Sequence, residues 1–166
     1  MQAINWSLII KRFGAIVWAT AYRLLGNYAD AADCFSETFI AAWQVSQKQR
    51  IRNLKALLAH LATMRAIDKL RERIRHRKVR TQAEELATVE SDNPGPAQQT
   101  QQQESAEKLR EALNRLPTQE AEVFCLRFLN EMSYRQIGKE LGIKSNAVGV
   151  ILHRTREKLR SFFENE

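Results

Sequence analysis

The stretch from Met132 to Arg156 (MSYRQIGKELGIKSNAVGVILHRTR) constrains this chain more than any other. Ile137, Leu141, Val148 and then Ile151 or Leu152 recur at helical spacing, which predicts two short amphipathic helices. Gly142 falls between them, where a tight turn takes a residue tolerant of positive φ. Ser133 followed three residues later by Gln136 reads as a capping box for the first helix, and Ser145 as the N-cap of the second. Gly138, one turn before Gly142, leaves room for the two helices to approach closely. Helix, glycine turn and capped second helix make the helix-turn-helix pattern; the plain alternative is an ordinary αα-hairpin inside a helical core. Asn146, His153, Arg154 and Arg156 on the second helix favour the first reading, because such groups meet base edges and phosphates in a DNA groove.

The remaining chain extends this to an all-α protein of two small helical domains joined by a flexible linker, the second domain containing the helix-turn-helix. Only 6 Gly and 3 Pro interrupt 166 residues, and runs of β-branched residues are short. A first helix is predicted over 6–25, with Ile9, Phe13, Ile16, Val17 and Leu24 on one face and Thr20 bonding back to the preceding turn. Gly26-Asn27 ends it. Asp30 is the expected cap of a second helix, Ala31 to about Trp43, with Cys34, Phe35, Phe39 and Ile40 apolar and Asp33, Ser36 and Glu37 outside. A third helix starts near Asn53. Its stripe is Leu54, Leu57, Leu58, Leu61, Met64, Ile67, Leu70 and Ile74, opposite Lys55, Arg65, Asp68, Lys69, Glu72, Arg73 and Arg75. These three helices form the expected first domain, residues 1–80.

From Thr81 to Ser105 the periodicity dissolves around Pro94-Gly95-Pro96 and a glutamine-rich run, as expected of a linker, although the Gln run also reads as a frayed helix start. The second domain, residues 106–166, begins with a helix carrying Leu109, Leu113 and Leu116 that stops at Pro117. Thr118 is the expected cap of the next helix, whose apolar surface is Val123, Phe124, Leu126, Phe128 and Leu129.

Charge is segregated. Arg50 to Arg80 holds eleven Lys or Arg against Asp68 and Glu72, whereas Thr81 to Glu131 holds ten acidic residues against four basic ones. Basic blocks on either side of an acidic one predict two polyanion-binding surfaces. Arginines and lysines along the third helix suit strand phosphates, which carry no sequence information. An exposed aromatic would stack on an unpaired base; Trp43 and Tyr28 are the candidates, but both are expected to pack in the helical core.

Other chemistry finds no support. His60, His76 and His153 are scattered without metal-ligand spacing, and no phosphate-binding glycine loop or nucleophile elbow occurs. No catalytic residues, metal or cofactor are expected. Cys34 and Cys125 read as buried free thiols in a reducing compartment. The apolar run Phe13 to Ala21 falls far short of the ~20 residues of a membrane span. A soluble, cytoplasmic protein without membrane insertion is expected.

Both halves resemble the bacterial RNA polymerase sigma factors of the extracytoplasmic-function (ECF) group. The resemblance lies in Leu24-Leu25-Gly26-Asn27, then Asp30 to Phe39 (DAADCFSETF) with Trp43, and Ala62 to Arg71 (ATMRAIDKLR). It continues through Leu113 to Pro117 (LNRLP), Glu122-Val123-Phe124, Met132-Ser133-Tyr134, Gln136-Ile137-Gly138, Leu141-Gly142 and His153-Arg154. The resemblance implies a dissociable specificity subunit whose partners are core RNA polymerase and promoter DNA, with an anti-sigma factor as a further partner the family admits. Asp33, Ser36 and Glu37 would dock the polymerase. Arg65, Asp68, Lys69, Arg71 and Arg73 would bind and help melt the minus-ten element. Arg135, Lys144, Ser145, Asn146, Gly149, Val150, His153, Arg154 and Arg156 would meet the minus-thirty-five element. The sequence departs from the family's usual residues at Ala32, Ser36, Leu57, Met64 and Gly149 to Ile151. An autonomous helix-turn-helix regulator is the alternative, since the second half is also similar to response-regulator output domains.

Val148, Leu152 and Thr155 continue the stripe of Ile137 and Leu141 and are expected to face inward. Of the residues assigned to the groove, only Asn146 and His153 offer strong directional bonds to base edges. Shallow sequence preference and phosphate-dominated binding through Arg135, Lys144, Arg154 and Arg156 are therefore expected of the second domain.

Overall fold

In the computed structural model, which describes residues 4–86 and 101–165, every regular element is helical. Helix α1 spans Trp6–Leu25, α2 Tyr28–Lys48 and α3 Leu54–Leu86; α4 spans Gln101–Arg115, α5 Thr118–Phe128, α6 Tyr134–Leu141 and α7 Ser145–Glu164.

The first three helices pack as the apolar periodicity demands. Val17, Phe39, Ala42, Leu58 and Ala62 form one buried cluster, with Ile9, Phe13, Leu54, Leu57 and Leu61 packed around it. Thr20, buried on the core face of α1, bonds back to the Ile16 carbonyl at 3.0 Å. Gly26 closes α1 at φ 73°, a left-handed conformation that favours glycine.

Several local expectations are corrected. The cap of α2 is Asn27, whose side chain accepts from the Asp30 amide at 2.9 Å, so Asp30 lies inside the first turn. The helix runs to Lys48, five positions past Trp43. Tyr28, Ile40 and Trp43 are not core residues: they are 73%, 56% and 49% exposed. The buried stripe of α2 is Ala31, Cys34, Thr38, Phe39, Ala41 and Ala42, so Ile40 and Trp43 fall on the outer face with Asp33 and Ser36. Thr118 does not cap α5; Pro117 holds that position without a side-chain bond, and Thr118 accepts from Arg71 instead. Helix α3 continues to Leu86, and α4 begins at Gln101, so that Gln101 to Gln103 of the Gln-rich run lie in its first turn. The rest of the expected linker, including Pro94-Gly95-Pro96, lies outside the described residues.

The leucine stripe is one of two buried faces of α3. Ala56, Ala59, Thr63 and Ala66 make the other. Ala56 and Ala59 pack with Val123, Leu126, Met132, Ile137, Val148 and Leu152 of the helix-turn-helix half. Further along α3, Ala66, Ile67, Leu70 and Ile74 share a continuous core with Ala21, Leu24 and Leu25 of α1 and with Leu113, Leu116, Ala121 and Cys125. Small side chains let α5 approach the α3 backbone closely, while each buried Leu or Ile stabilises by about 1.5–3 kcal/mol. Polar contacts cross the same seam. Asn130 accepts from the Thr20 hydroxyl at 3.0 Å and reaches Thr63 at 3.5 Å, and His60 Nδ1 lies 3.3 Å from Glu140 Oε1. The two halves therefore pack against one another across α3.

Candidate nucleic-acid interface

Helices α6 and α7 form the motif expected from sequence. The Ser133 hydroxyl accepts from the Gln136 amide at 3.1 Å, and the Gln136 side chain accepts from the Ser133 amide at 2.9 Å, completing the capping box. Gly142 ends α6 at φ 70°, and the Ile143 amide donates to the Gly138 carbonyl at 2.9 Å. A Cβ at position 138 would stand 2.6 Å from the Ile143 carbonyl oxygen, so Gly138 is required by the turn backbone. The expected cap at Ser145 is corrected: Lys144 is the N-cap, without a side-chain bond, and Ser145 opens α7.

Val148, Leu152 and Thr155 are buried, as the inward stripe requires. Ser145, Asn146, Val150, His153, Arg154 and Arg156 are exposed, and Gly149 is half-buried beneath the Tyr134 ring. The structure brings Ser145, Asn146, Gly149, Val150, His153 and Arg154 together on one shallow concave face, with Tyr134 as an added wall. Arg156 is drawn aside: its guanidinium stacks 5.1 Å from the centre of the Phe128 ring on α5. Arg135 and Lys144 are exposed. Tyr134 was not apparent as a site residue from sequence, because its role depends on crossing a glycine of a different helix.

The candidate residues of the first half form a second, charged surface. Asp33 and Ser36 are exposed on α2. Glu37, one turn on from Asp33, bonds Lys69 at 3.1 Å and lies 3.7 Å from Arg65, both on α3. Partial burial alone would pull the Lys69 ammonium's pKa down, but the Glu37 hydrogen bond and the charges of Glu37 and Asp33 outweigh it and raise it. Arg73 reaches Asp30 at 3.6 Å and the Leu25 carbonyl at 2.5 Å. Arg71 donates to the Thr118 hydroxyl at 2.6 Å and the Leu116 carbonyl at 2.7 Å, and so faces the second half. Asp68 is exposed. The basic face of α3 is thus divided, with Arg65, Lys69 and Arg73 directed to α2 and its turn and Arg71 to the α4–α5 junction. Arg75, Lys78 and Arg80 lie exposed beyond it.

Both cysteines are buried and unpaired, and burial pushes the Cys34 thiol up to about 11 and the Cys125 thiol up to about 12. Thiolate chemistry at neutral pH is thereby suppressed. Among the described residues, no group of three or more His, Cys, Asp or Glu side chains could hold a metal ion, and no helix is long and apolar enough to cross a membrane.

An open α7 face, set in a capped helix-turn-helix and packed on a three-helix bundle with a basic long helix, places the chain in the helix-turn-helix class, an arrangement shared by many nucleic-acid-binding proteins. Family comparison narrows it: residues 9–76 match sigma-70 region 2 and residues 106–159 match sigma-70 region 4. The chain belongs to the sigma-70 factors of the ECF type.

It is 30% identical over 158 residues to the ECF RNA polymerase sigma factor SigE of Mycolicibacterium smegmatis, covering 95% of this chain and 61% of that one. It thus spans about three fifths of that relative's length. It is 27% identical to the ECF RNA polymerase sigma factor SigW of Bacillus subtilis, over 87% of this chain and 81% of the other. In fold it is similar to the sigma factor RpoE of Bartonella quintana, solved in complex with the anti-sigma factor NepR, with a TM-score of 0.55, 21% identity and coverage of 94% and 96%.

Proposed function

We propose that this chain binds core RNA polymerase and directs promoter recognition and transcription initiation from the cytoplasm, leaving nucleotide chemistry to the polymerase. The observation that carries this reading is the pairing, on one chain, of an open helix-turn-helix face with an α2 face that is acidic at Asp33 and Glu37 and apolar at Ile40 and Trp43. Such a mixed face suits a protein partner, with charge setting orientation and the exposed tryptophan offering buried area.

In this reading Asp33, Ser36 and Glu37 dock the polymerase. Arg65, Asp68, Lys69, Arg71 and Arg73 hold the melted minus-ten element. Arg135, Lys144 and the exposed residues of α7 from Ser145 to Arg156 engage the minus-thirty-five element. An anti-sigma factor is a further proposed partner, supported by the similarity in fold to a sigma factor solved with one.

Because Glu37 pairs with Arg65 and Lys69, its reversal disturbs two surfaces, whereas Asp33 is a cleaner probe. Asp33→Lys is expected to abolish co-purification with core polymerase and run-off transcription while leaving the helical circular dichroism unchanged. Full retention of polymerase binding by both Asp33→Lys and Asp33→Lys/Glu37→Lys would overturn the docking assignment. Protection of a palindromic duplex by the chain alone, as a dimer, would replace this reading with an autonomous regulator.

A further inference from the structure

The concave face on α7 contains a feature that hydrogen-bonding residues do not account for. Tyr134 opens α6 within the Ser133–Gln136 capping box that fixes the start of that helix. Its ring edge lies over Gly149: a Cβ at 149 would stand 3.4 Å from Cε2 and 3.8 Å from Cδ2. The Arg127 guanidinium sits 5.5 Å from the ring centre, and Arg127 itself is anchored by donating to the Met132 carbonyl at 3.1 Å. Contact with the glycine and with the cation therefore holds the ring in place.

The result is a notch in the recognition face. Gly149 is its floor, the Tyr134 ring and Val150 are among its walls, and Asn146 and His153 also line it. Tyr134 remains 38% exposed and Val150 50% exposed, so the apolar walls are open to a ligand. The packing of α6 and α7 onto α3 uses Ile137, Val148 and Leu152 and leaves this face uncovered.

A small apolar notch among hydrogen-bonding side chains matches one feature of the major groove. The C5-methyl of thymine is the one apolar group that projects from the base edges there, among donors and acceptors. We propose that Tyr134 is a specificity-determining residue that, with Val150 and over the backbone of Gly149, receives the methyl group of one thymine beside the bases met by Asn146 and His153. This rests on the reading that α7 enters the major groove. It also gives the Gly149-Val150 departure a role: the residues that remove polar contacts create the methyl site.

The test uses the full chain assembled with core polymerase and a promoter recovered by selection from random duplex. Each thymine of the upstream element is replaced in turn by deoxyuridine, which deletes only the methyl group. One position is expected to lose about fourfold in affinity, the worth of one buried methyl. Tyr134→Ala should erase that difference and bind thymine and deoxyuridine alike, while Tyr134→Phe should retain it. The absence of any deoxyuridine effect, or its survival in Tyr134→Ala, overturns the proposal. Loss of affinity in Tyr134→Phe without a deoxyuridine effect would also overturn it, by making the hydroxyl a phosphate contact. Asn146→Ala and His153→Ala separate the two levels. If they weaken binding while the methyl effect is absent, the groove reading stands and the notch proposal falls; if neither they nor Tyr134→Ala alters binding, the groove reading itself falls.

Discussion

The Nε of Arg110, on α4, donates to the Leu24 carbonyl at 3.2 Å and so closes the end of a helix from the other half of the chain. The same guanidinium donates from Nη2 to the Arg23 carbonyl at 3.1 Å, the Gly26 amide donates to Tyr22 at 2.7 Å, and Arg73 donates to Leu25. All four final carbonyls of α1 thus have partners, two of them supplied by α4. Gly26 makes room for this: a Cβ there would stand 2.7 Å from the Arg110 guanidinium carbon. A cation at a helix C-terminus is also favoured by the helix dipole.

Removing Arg110 should therefore cost stability that an ordinary surface arginine would not. Arg110→Ala is expected to lose about 2 kcal/mol in urea unfolding, since two hydrogen bonds from a charged, largely buried donor are lost. Arg110→Lys should recover less than half, because an ammonium lacks the planar fork that spans two carbonyls. Gly26→Ala should cost more than the ~1–2 kcal/mol of its left-handed backbone alone, because its Cβ would also meet the Arg110 guanidinium. The double variant should lose less than the sum, because the new Cβ no longer meets a guanidinium.

The shared core across α3 predicts the behaviour of a nicked chain. A site-specific protease sequence placed within residues 87–100 should allow cleavage into two fragments that still co-elute in size-exclusion chromatography. Leu70, Ile74, Leu113 and Leu116 bury together and would be exposed by separation. Fragments that part at once and keep native helicity would instead make the halves independent folds joined by a tether.

Gly138 is a sharp structural probe of the turn. Gly138→Ala should destabilise the chain by about 1–3 kcal/mol, because its Cβ would collide with backbone that cannot rotate away. DNA binding should fall with it. Gly142→Ala meets nothing within 4 Å and should show only the cost of a positive φ. Thermal denaturation of the two variants compares these effects directly.

Glu122 gives the seam between the halves a pH dependence. Burial pushes its carboxyl above the ordinary value of 4.5; His60 and Arg71 pull it back, and Asp68 adds to the rise. A carboxyl whose pKa is raised on folding binds its proton more tightly when folded, so this group's contribution to stability falls as pH rises from 4.5 through the raised value. Glu122→Gln should accordingly raise the Tm at neutral pH, and the gain over the parent should disappear below the ordinary glutamate range. Melts of both proteins across that interval check the sign; a variant less stable at neutral pH would show that His60 and Arg71 dominate.

Helices, the C-terminal glycine caps and the capped helix-turn-helix were legible in the sequence because each depends on residues three or four positions apart. The capping box at Ser133 and Gln136, the left-handed Gly26 and Gly142, and the inward Val148, Leu152 and Thr155 all follow from that local periodicity. Three caps were misplaced by local rules: Asn27, not Asp30, caps α2, Pro117, not Thr118, precedes α5, and Lys144, not Ser145, precedes α7. Apolar character also placed Ile40 and Trp43 inside, whereas the turn-by-turn geometry of α2 carries them outward beside Asp33.

Tertiary structure alone decided what the second faces do. The alanines at 56, 59 and 66 are weakly hydrophobic and mark no stripe by themselves, yet their small size is what admits α5 against α3. Arg71 and Arg73 read as part of one phosphate-binding face until packing divided them between Leu116 and Leu25. Tyr134 and Gly149 are fifteen positions apart and acquire meaning only when α6 crosses α7. The helices, the Ser133 capping box and the face of α7 turned outward follow from sequence, because helix periodicity is a short-range property. The juxtapositions that shape the interface depend on long-range packing, in which side-chain volume and crossing geometry choose the partner.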